Sequence, residues 1–183
     1  MNIKNSPFFK QTELVLRVLP HVALESCFAL KGGTAINLFV QDLPRLSVDI
    51  DLTYLPIESR NDTLIHIGDA LKRIADLIRQ AGIKIQEAKY ESKYVIKLFV
   101  HYQGVQIKIE PNIVIRGTVF PCEKRHLVPN AENIFERFTS IQTLSIADLY
   151  GGKLCAALDR QHPKDLLSCA QLLCEIKFWR AKS

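Results

Sequence analysis

Residues 30–52 read LKGGTAINLFVQDLPRLSVDIDL. The stretch divides into three pieces with different periods. Residues 27–31 (CFALK) form a short apolar run that predicts a strand, and 34–41 (TAINLFVQ) predict a helix. Residues 46–52 (LSVDIDL) alternate apolar with polar and predict a second strand. Gly32 and Gly33 stand at the junction between the first strand and the helix.

Each piece has a chemical consequence. Two bare glycines let backbone N–H groups approach an anion closely, and Thr34 opens a helix whose positive end favours negative charge. Taken alone, Gly-Gly-Thr is also an ordinary strand-to-helix turn, and the spacing is not that of a Walker A loop. Asp49 and Asp51 sit two residues apart in the second strand, so they share a face with Cα atoms about 6.6 Å apart. Taken alone, they are two acids on a solvated strand. Arg45 and Ser47 have the same parity and add polar groups to that side. An anion cradle beside paired carboxylates is the equipment of phosphoryl chemistry, which needs donors for phosphate oxygens and acids to hold a divalent metal.

A third carboxylate fits this scheme. In 105–115 (VQIKIEPNIVI), Val105, Ile107 and Ile109 face one way while Gln106, Lys108 and Glu110 face the other. Glu110 ends the alternation just before Pro111, where it is either a solvent-facing strand glutamate or a partner for Asp49 and Asp51. Further on, Lys153 and Arg160 can share one side of a helical segment, where taken alone they are solvated helix charges.

The remaining elements frame these residues. Residues 8–25 carry helical spacing, with Pro20 expected to kink or split the segment. Residues 62–81 predict the longest helix, capped by Asn61 or Asp62 and ended by Gly82. Runs 83–88, 93–101 and 105–115 predict strands, the last two joined by a tight turn at Tyr102-Gln103-Gly104. From about 132 the pattern is mostly helical, with Ser145 as a cap and Pro163 in the first turn of a last helix. The expected fold is α+β, a mixed sheet flanked by helices with a short helical C-terminal part. Residues 1–130 would form the core and 131–183 a helical region packed with it.

Bulk composition narrows the class. The chain has 183 residues, 48% hydrophobic and 23% charged, with net charge +5 and a pI of about 9.0. That suits one ordinary globular domain with a basic surface compatible with nucleic acid or nucleotides. No apolar run is long enough for a membrane span, and the N-terminal segment is too polar for a signal peptide, so a cytoplasmic protein without membrane association is expected. Five cysteines (Cys27, Cys122, Cys155, Cys169, Cys174) lack metal-type spacing and are expected as buried, reduced thiols. The histidines show no ligand spacing.

In its paired motifs the chain resembles the AbiEii/AbiGii-type toxin nucleotidyltransferases of the DNA polymerase beta-like superfamily. The resemblance rests on LKGGTAINLF, RLSVDIDLTY, the later IKIEP, and LYGGKLCAALDRQHPKDLL, and spans roughly residues 28–168. It implies a nucleotide site in which Lys31, Gly32, Gly33, Thr34, Arg45, Ser47 and Lys153 bind the nucleotide. Asp49, Asp51 and Glu110 would hold one or two Mg²⁺ ions, with Glu110 helping to deprotonate the attacking hydroxyl. Asp165 would join Asp49, Asp51, Glu110 and Lys153 as the catalytic set. The implied activity is transfer of an NMP from a nucleoside triphosphate to RNA (tRNA included) or protein, by the toxin of a toxin–antitoxin or phage-defence pair with a cognate antitoxin. Two departures are Ser168, where the family commonly has an acid, and a shorter helical end. They admit an impaired nucleotide-binding member acting through a partner, and the shared motifs also admit a small-molecule (antibiotic) nucleotidyltransferase.

Overall fold

The computed structural model describes residues 4, 6–91 and 93–160, the side chains of 159 and 160 excepted. Its elements run α1 (Phe9–Val22), β1 (Phe28–Lys31), α2 (Gly32–Phe39), β2 (Asp49–Tyr54), α3 (Arg60–Gln80), β3 (Lys84–Tyr90) and β4 (Tyr94–Tyr102). They continue β5 (Val105–Arg116), β6 (Glu123–His126), α4 (Pro129–Phe135), β7 (Ser140–Thr143) and α5 (Ile146–Arg160). Seven strands among the described residues form one sheet in the order β3-β4-β5-β2-β1-β7-β6. The sheet is mixed: β1 runs antiparallel to β2, whereas β2 with β5 and β1 with β7 are parallel.

Alternation explains why β2 and β5 occupy the middle. Ile50, Leu52 and Ile109 are fully buried and Ile107 nearly so, while Asp49, Asp51, Lys108 and Glu110 of the opposite parity are half-buried. One face of each strand is core and the other carries charge. Burying such side chains is worth about 1.5–3 kcal/mol each, and a one-residue slip would exchange every inward isoleucine for a charge. The register is therefore strongly specified where the candidate site lies.

The helices complete the core. α1 and α3 pack against each other, α1 also on β2, β5 and β7, and α3 on β3, β4 and β5; α2 packs on β1, β2 and α5. The expected break at Pro20 does not occur, and α1 continues to Val22. Proline costs the helix one backbone bond there, only two residues from its end and on its exposed side. The cap of α3 also differs from expectation: it is Ser59, whose Oγ accepts from the Asp62 N–H at 3.2 Å and donates to Asp62 Oδ2 at 2.7 Å. Gly82 follows as expected in the left-handed region, φ +75°. The β4–β5 turn places both Gln103 (φ +48°) and Gly104 (φ +77°) at positive φ, the requirement of a type I′ hairpin.

Two strands escaped the periodicity. β6 and β7 pair with each other, and β7 joins β1 through Leu30 and Thr143; β7 lies inside the stretch from about 132 expected to be mostly helical, and β6 before it, where no element was expected. The capping expectation at Ser145 holds: its Oγ accepts from Asp148 N–H at 3.0 Å. Asp148 in turn accepts backbone N–H bonds from Val119 and Phe120, tying that loop to the start of α5. Cys155 is exposed on α5 and Cys27 and Cys122 are half-buried, so these thiols are free but not the fully buried ones expected. Cys169, Cys174 and the helix expected after Pro163 lie outside the described residues.

Candidate active site

Asp49 and Asp51 open β2, and the parallel pairing with β5 sets Asp49 beside Lys108 and Asp51 beside Glu110. On the other side of β2, Asp51 is level with Lys31 at the end of β1. Three acids and two lysines thus share one patch of sheet, on the face opposite Ile50 and Ile109.

The Gly-Gly turn lies directly against this patch. Gly32 has φ +72°, and a Cβ there would stand 2.5 Å from Asp51 Oδ2. Only glycine meets both conditions, because any side chain would be strained and would strike the carboxylate. A Cβ on Gly33 would stand 3.0 Å from Ser47 Oγ, 3.6 Å from Asn37 Nδ2 and 3.8 Å from an Arg45 guanidinium nitrogen. The backbone of the turn therefore faces Arg45 and Ser47, which lie in the loop before β2 and not in the strand expected from residue 46.

Thr34 has a different position from its expected contact with phosphate. It is fully buried, and its hydroxyl bonds inward to Ser47 Oγ at 3.0 Å and to the Asp49 carbonyl oxygen. It pins the start of β2 to α2, so its side chain positions Asp49. Thr12 of α1 adds a bond from its hydroxyl to the Ser47 carbonyl at 3.1 Å. The segment from Ser47 to Asp49 is held from two helices.

The electrostatics are close to balanced between strands. Lys97 of β4 bonds Glu110 Oε1 at 2.7 Å, and Lys108 Nζ lies 3.4 Å from Glu110 Oε2 and 3.6 Å from Asp49 Oδ2. Burial alone would raise the Glu110 carboxyl, but the Lys97 bond and the charges of Lys97 and Lys108 outweigh it and hold it below the usual range. Burial likewise works against the Lys108 ammonium, yet Asp49 and Glu110 hold its proton affinity above the ordinary lysine value. Asp51 is the exception. Burial, then the neighbouring Asp49 charge, push it up despite Lys108 and Lys31.

That imbalance, together with the donor chemistry, is the test for a metal. Asp49 and Asp51 offer hard carboxylate oxygens on adjacent same-face positions, a like-charge pair that Lys108 and Lys31 offset only in part and that a divalent cation relieves. Glu110 shares the face but its oxygens are committed to Lys97 and Lys108. Among the described residues no three acidic, imidazole or thiol side chains are gathered as a ready-made metal cage. The aspartate pair fits a hard cation such as Mg²⁺, and Glu110 would join it only by giving up a lysine.

The structure thus brings together Lys31, Gly32, Gly33, Thr34, Arg45, Ser47, Asp49, Asp51 and Glu110. Lys153 is half-buried on α5, the helix packed against α2. Asp165 lies outside the described residues. Sequence reasoning assigned no role to Lys97, Lys108 or Asn37. For Lys108 the same-face parity with Glu110 was a signal, whereas Lys97 reaches Glu110 through the pairing of β4 with β5. Asn37 is only 2% exposed, and its Nδ2 has no hydrogen-bond partner among the described residues. A buried donor without an acceptor behind the Gly33 backbone is costly unless something uses it.

Comparison with known proteins bears on the family and the fold. The family model described as "Nucleotidyl transferase AbiEii toxin, Type IV TA system" matches residues 14–167. Among solved structures, the chain is similar to MenT4, a nucleotidyltransferase toxin from Mycobacterium tuberculosis, at TM-score 0.55 and 14% identity, covering 83% of this chain and 55% of that one. The chain thus spans just over half the length of MenT4. It is also similar to ANT(2″)-Ia in complex with adenylyl-2″-tobramycin, at TM-score 0.50 and 14% identity, covering 91% and 88%. A solution structure of the antibiotic-resistance factor ANT(2″)-Ia gives TM-score 0.52 at 14% identity, covering 91% and 83%. No curated protein matches the chain. At these identities the structural neighbours show the fold, that of the polymerase-beta-like nucleotidyltransferases. With the family model spanning most of its length, the chain belongs to the AbiEii family of toxin nucleotidyltransferases.

Proposed function

We propose that the chain transfers a nucleoside monophosphate from a nucleoside triphosphate to an acceptor hydroxyl with Mg²⁺, as the toxin of a bacterial toxin–antitoxin or phage-defence pair. The observation that carries this reading is the contact between Gly32 and Asp51. A phosphate drawn to the N–H groups of the Gly32–Gly33 turn would rest against the Asp51 carboxylate, and two anions in contact require a cation between them. Asp49 and Asp51, with Glu110, would hold Mg²⁺, which supplies charge neutralisation at the phosphoryl oxygens.

The chain's own groups divide the remaining work. Gly32, Gly33, Arg45 and Ser47 bind the phosphates, with Lys31 alongside, Asn37 behind Gly33 as a further donor, and Lys153 and Asp165 brought in by the C-terminal segment. Thr34 keeps Asp49 in place. The acceptor oxygen attacks the α-phosphorus, the bond from that phosphorus to the bridging oxygen breaks, and pyrophosphate leaves. Glu110 takes the acceptor's proton once Lys97 and Lys108 release an oxygen. The acceptor is RNA, tRNA included, or a protein, and a cognate antitoxin restrains the activity; the family description supports the toxin–antitoxin setting, and the basic charge of the chain supports the nucleic-acid choice. The likeness to an adenylylated-tobramycin complex favours a small-molecule acceptor as the second reading.

The test is incubation with α-labelled nucleoside triphosphates, Mg²⁺ and total RNA. Label should appear in RNA with wild type and be lost with Asp49→Ala. Unlabelled RNA and protein together with no nucleotide binding by wild type contradict the enzyme reading. Label appearing only on an aminoglycoside selects the second.

A further inference from the structure

A second charged feature lies between α1 and the β4–β5 hairpin. Lys10 and Arg17 of α1, Tyr102 and Gln103 of the hairpin, and Arg137 after α4 line one pocket, where Glu13 is the single carboxylate. The Arg17 guanidinium lies over the Tyr102 ring, 4.4 Å from its centroid, a cation–π contact. Neither Lys10, Arg17 nor Arg137 has an ion pair or hydrogen bond among the described residues, unlike Arg73 and Arg79, which are each paired with carboxylates. Three cations, two from α1 and one from the segment after α4, gathered against one acid repel one another, and an anion relieves that repulsion.

The geometry selects the kind of anion. A guanidinium is planar by delocalisation and presents its N–H groups as a fork suited to phosphate oxygens, and the Tyr102 ring restrains where that fork stands. The pocket also lies at one end of a continuous element. Val105 lines it, Gln106 carbonyl oxygen accepts from Gln11 Nε2 at 3.0 Å, and the same strand continues through Lys108 to Glu110. Val105 and Glu110 are five positions apart on β5, about 16 Å, and face opposite sides of the sheet, so a strand joining them passes round the β4–β5 end and spans at least about five stacked nucleotides. A ligand there is too distant from Glu110 to be the reacting triphosphate, and well spaced to be the same strand's backbone upstream of a reacting hydroxyl.

We propose that the pocket of Lys10, Arg17, Arg137 and Tyr102 binds a backbone phosphate of an RNA acceptor strand whose terminal hydroxyl reaches Glu110. This rests on the nucleotidyl-transfer reading above. In this arrangement the acceptor backbone passes round the β4–β5 hairpin end of the sheet to reach the reacting centre, with Arg17 as the clamp and Lys10 and Arg137 as point charges.

The experiment measures binding of a fluorescein-labelled single-stranded oligoribonucleotide to the full chain across a salt series, beside binding of a Mg²⁺–nucleoside triphosphate. The proteins are wild type, Lys10→Glu with Arg137→Glu, and Arg17→Gln, each with its melting temperature as a check on folding. The expected result is RNA affinity at least tenfold weaker in both variants, a salt slope smaller by about 0.7 for each phosphate no longer neutralised, and unchanged nucleotide affinity. RNA binding that is absent in wild type, or equal in all three proteins, overturns the proposal. So does binding of polyglutamate in place of RNA with the same dependence on these residues, which would point to an acidic protein partner. Variant-sensitive RNA binding by a wild type that binds no nucleotide keeps the pocket as an RNA site and removes the transfer reading instead.

Discussion

The wall formed by β1, α2 and β2 and the pocket between α1 and the β4–β5 hairpin manage charge in opposite ways. In the wall almost every polar group is already engaged. Thr34 and Thr12 fix Ser47 and Asp49, while Lys108 bridges Asp49 and Glu110. In the pocket three cations stand without an ion-pair partner among the described residues, ordered chiefly by one ring contact. The difference matches two kinds of ligand. A reacting triphosphate and metal need groups held within fractions of an ångström, so the wall is built before they arrive. A passing backbone phosphate needs only net positive charge at the right distance.

Substitutions in the wall should break this contrast most severely. Asp51→Asn should reduce nucleotidyl transfer by on the order of 10²–10³-fold, the loss of several kcal/mol of metal-mediated stabilisation. It should not lower the melting temperature, because it removes the repulsion between Asp51 and Asp49. A fall in stability comparable to the fall in activity would show that the pair is structural. Gly32→Ala should abolish transfer as well, but with a cost of about 1–3 kcal/mol in stability, since φ +72° and the Asp51 contact both resist a Cβ. Chemical denaturation separates these two outcomes, and a stable, active Gly32→Ala protein would contradict the close packing described.

Smaller changes sharpen the comparison. Thr34→Val keeps the shape yet leaves the buried Asp49 carbonyl without its partner, so stability should fall by about 1–2 kcal/mol, while Thr34→Ser retains most of it. Equal melting temperatures for Val and Ser would sink the positioning role. Asn37→Leu should do the reverse. Its amide donor has no acceptor in the free protein, so stability should hold or rise, while triphosphate affinity falls by about 0.5–1.5 kcal/mol. Calorimetry showing unchanged affinity would remove Asn37 from the site.

These residues also mark what could be read before the fold was known. β2 and β5 were legible because alternation around Ile50, Leu52, Ile107 and Ile109 is strict, and the same parity placed Asp49, Asp51 and Glu110 on one face. The direction of the Thr34 hydroxyl was not legible. Helix-start threonines turn outward to an anion or inward to a neighbour, and only the Ser47 loop decided it. Lys97 was invisible as a partner of Glu110 because the contact depends on pairing between strands, not on spacing along one. β7 was missed for a similar reason: SIQT is four residues long, and its strand character comes from being enclosed by β1 and β6. Ser59 was passed over as a cap because Asn61 and Asp62 lie closer to the apolar stripe of α3.

The central claim is that the Gly32–Gly33 turn and the Asp49–Asp51 pair form one nucleotide site. A crystal structure of the protein soaked with Mg²⁺ and a non-hydrolysable nucleoside triphosphate tests it most directly. The account predicts phosphate oxygens on the backbone N–H groups of Gly32 and Gly33, and Mg²⁺ between them and the carboxylates of Asp49 and Asp51. A triphosphate bound elsewhere, with Lys108 still bridging Asp49 and Glu110, would contradict it.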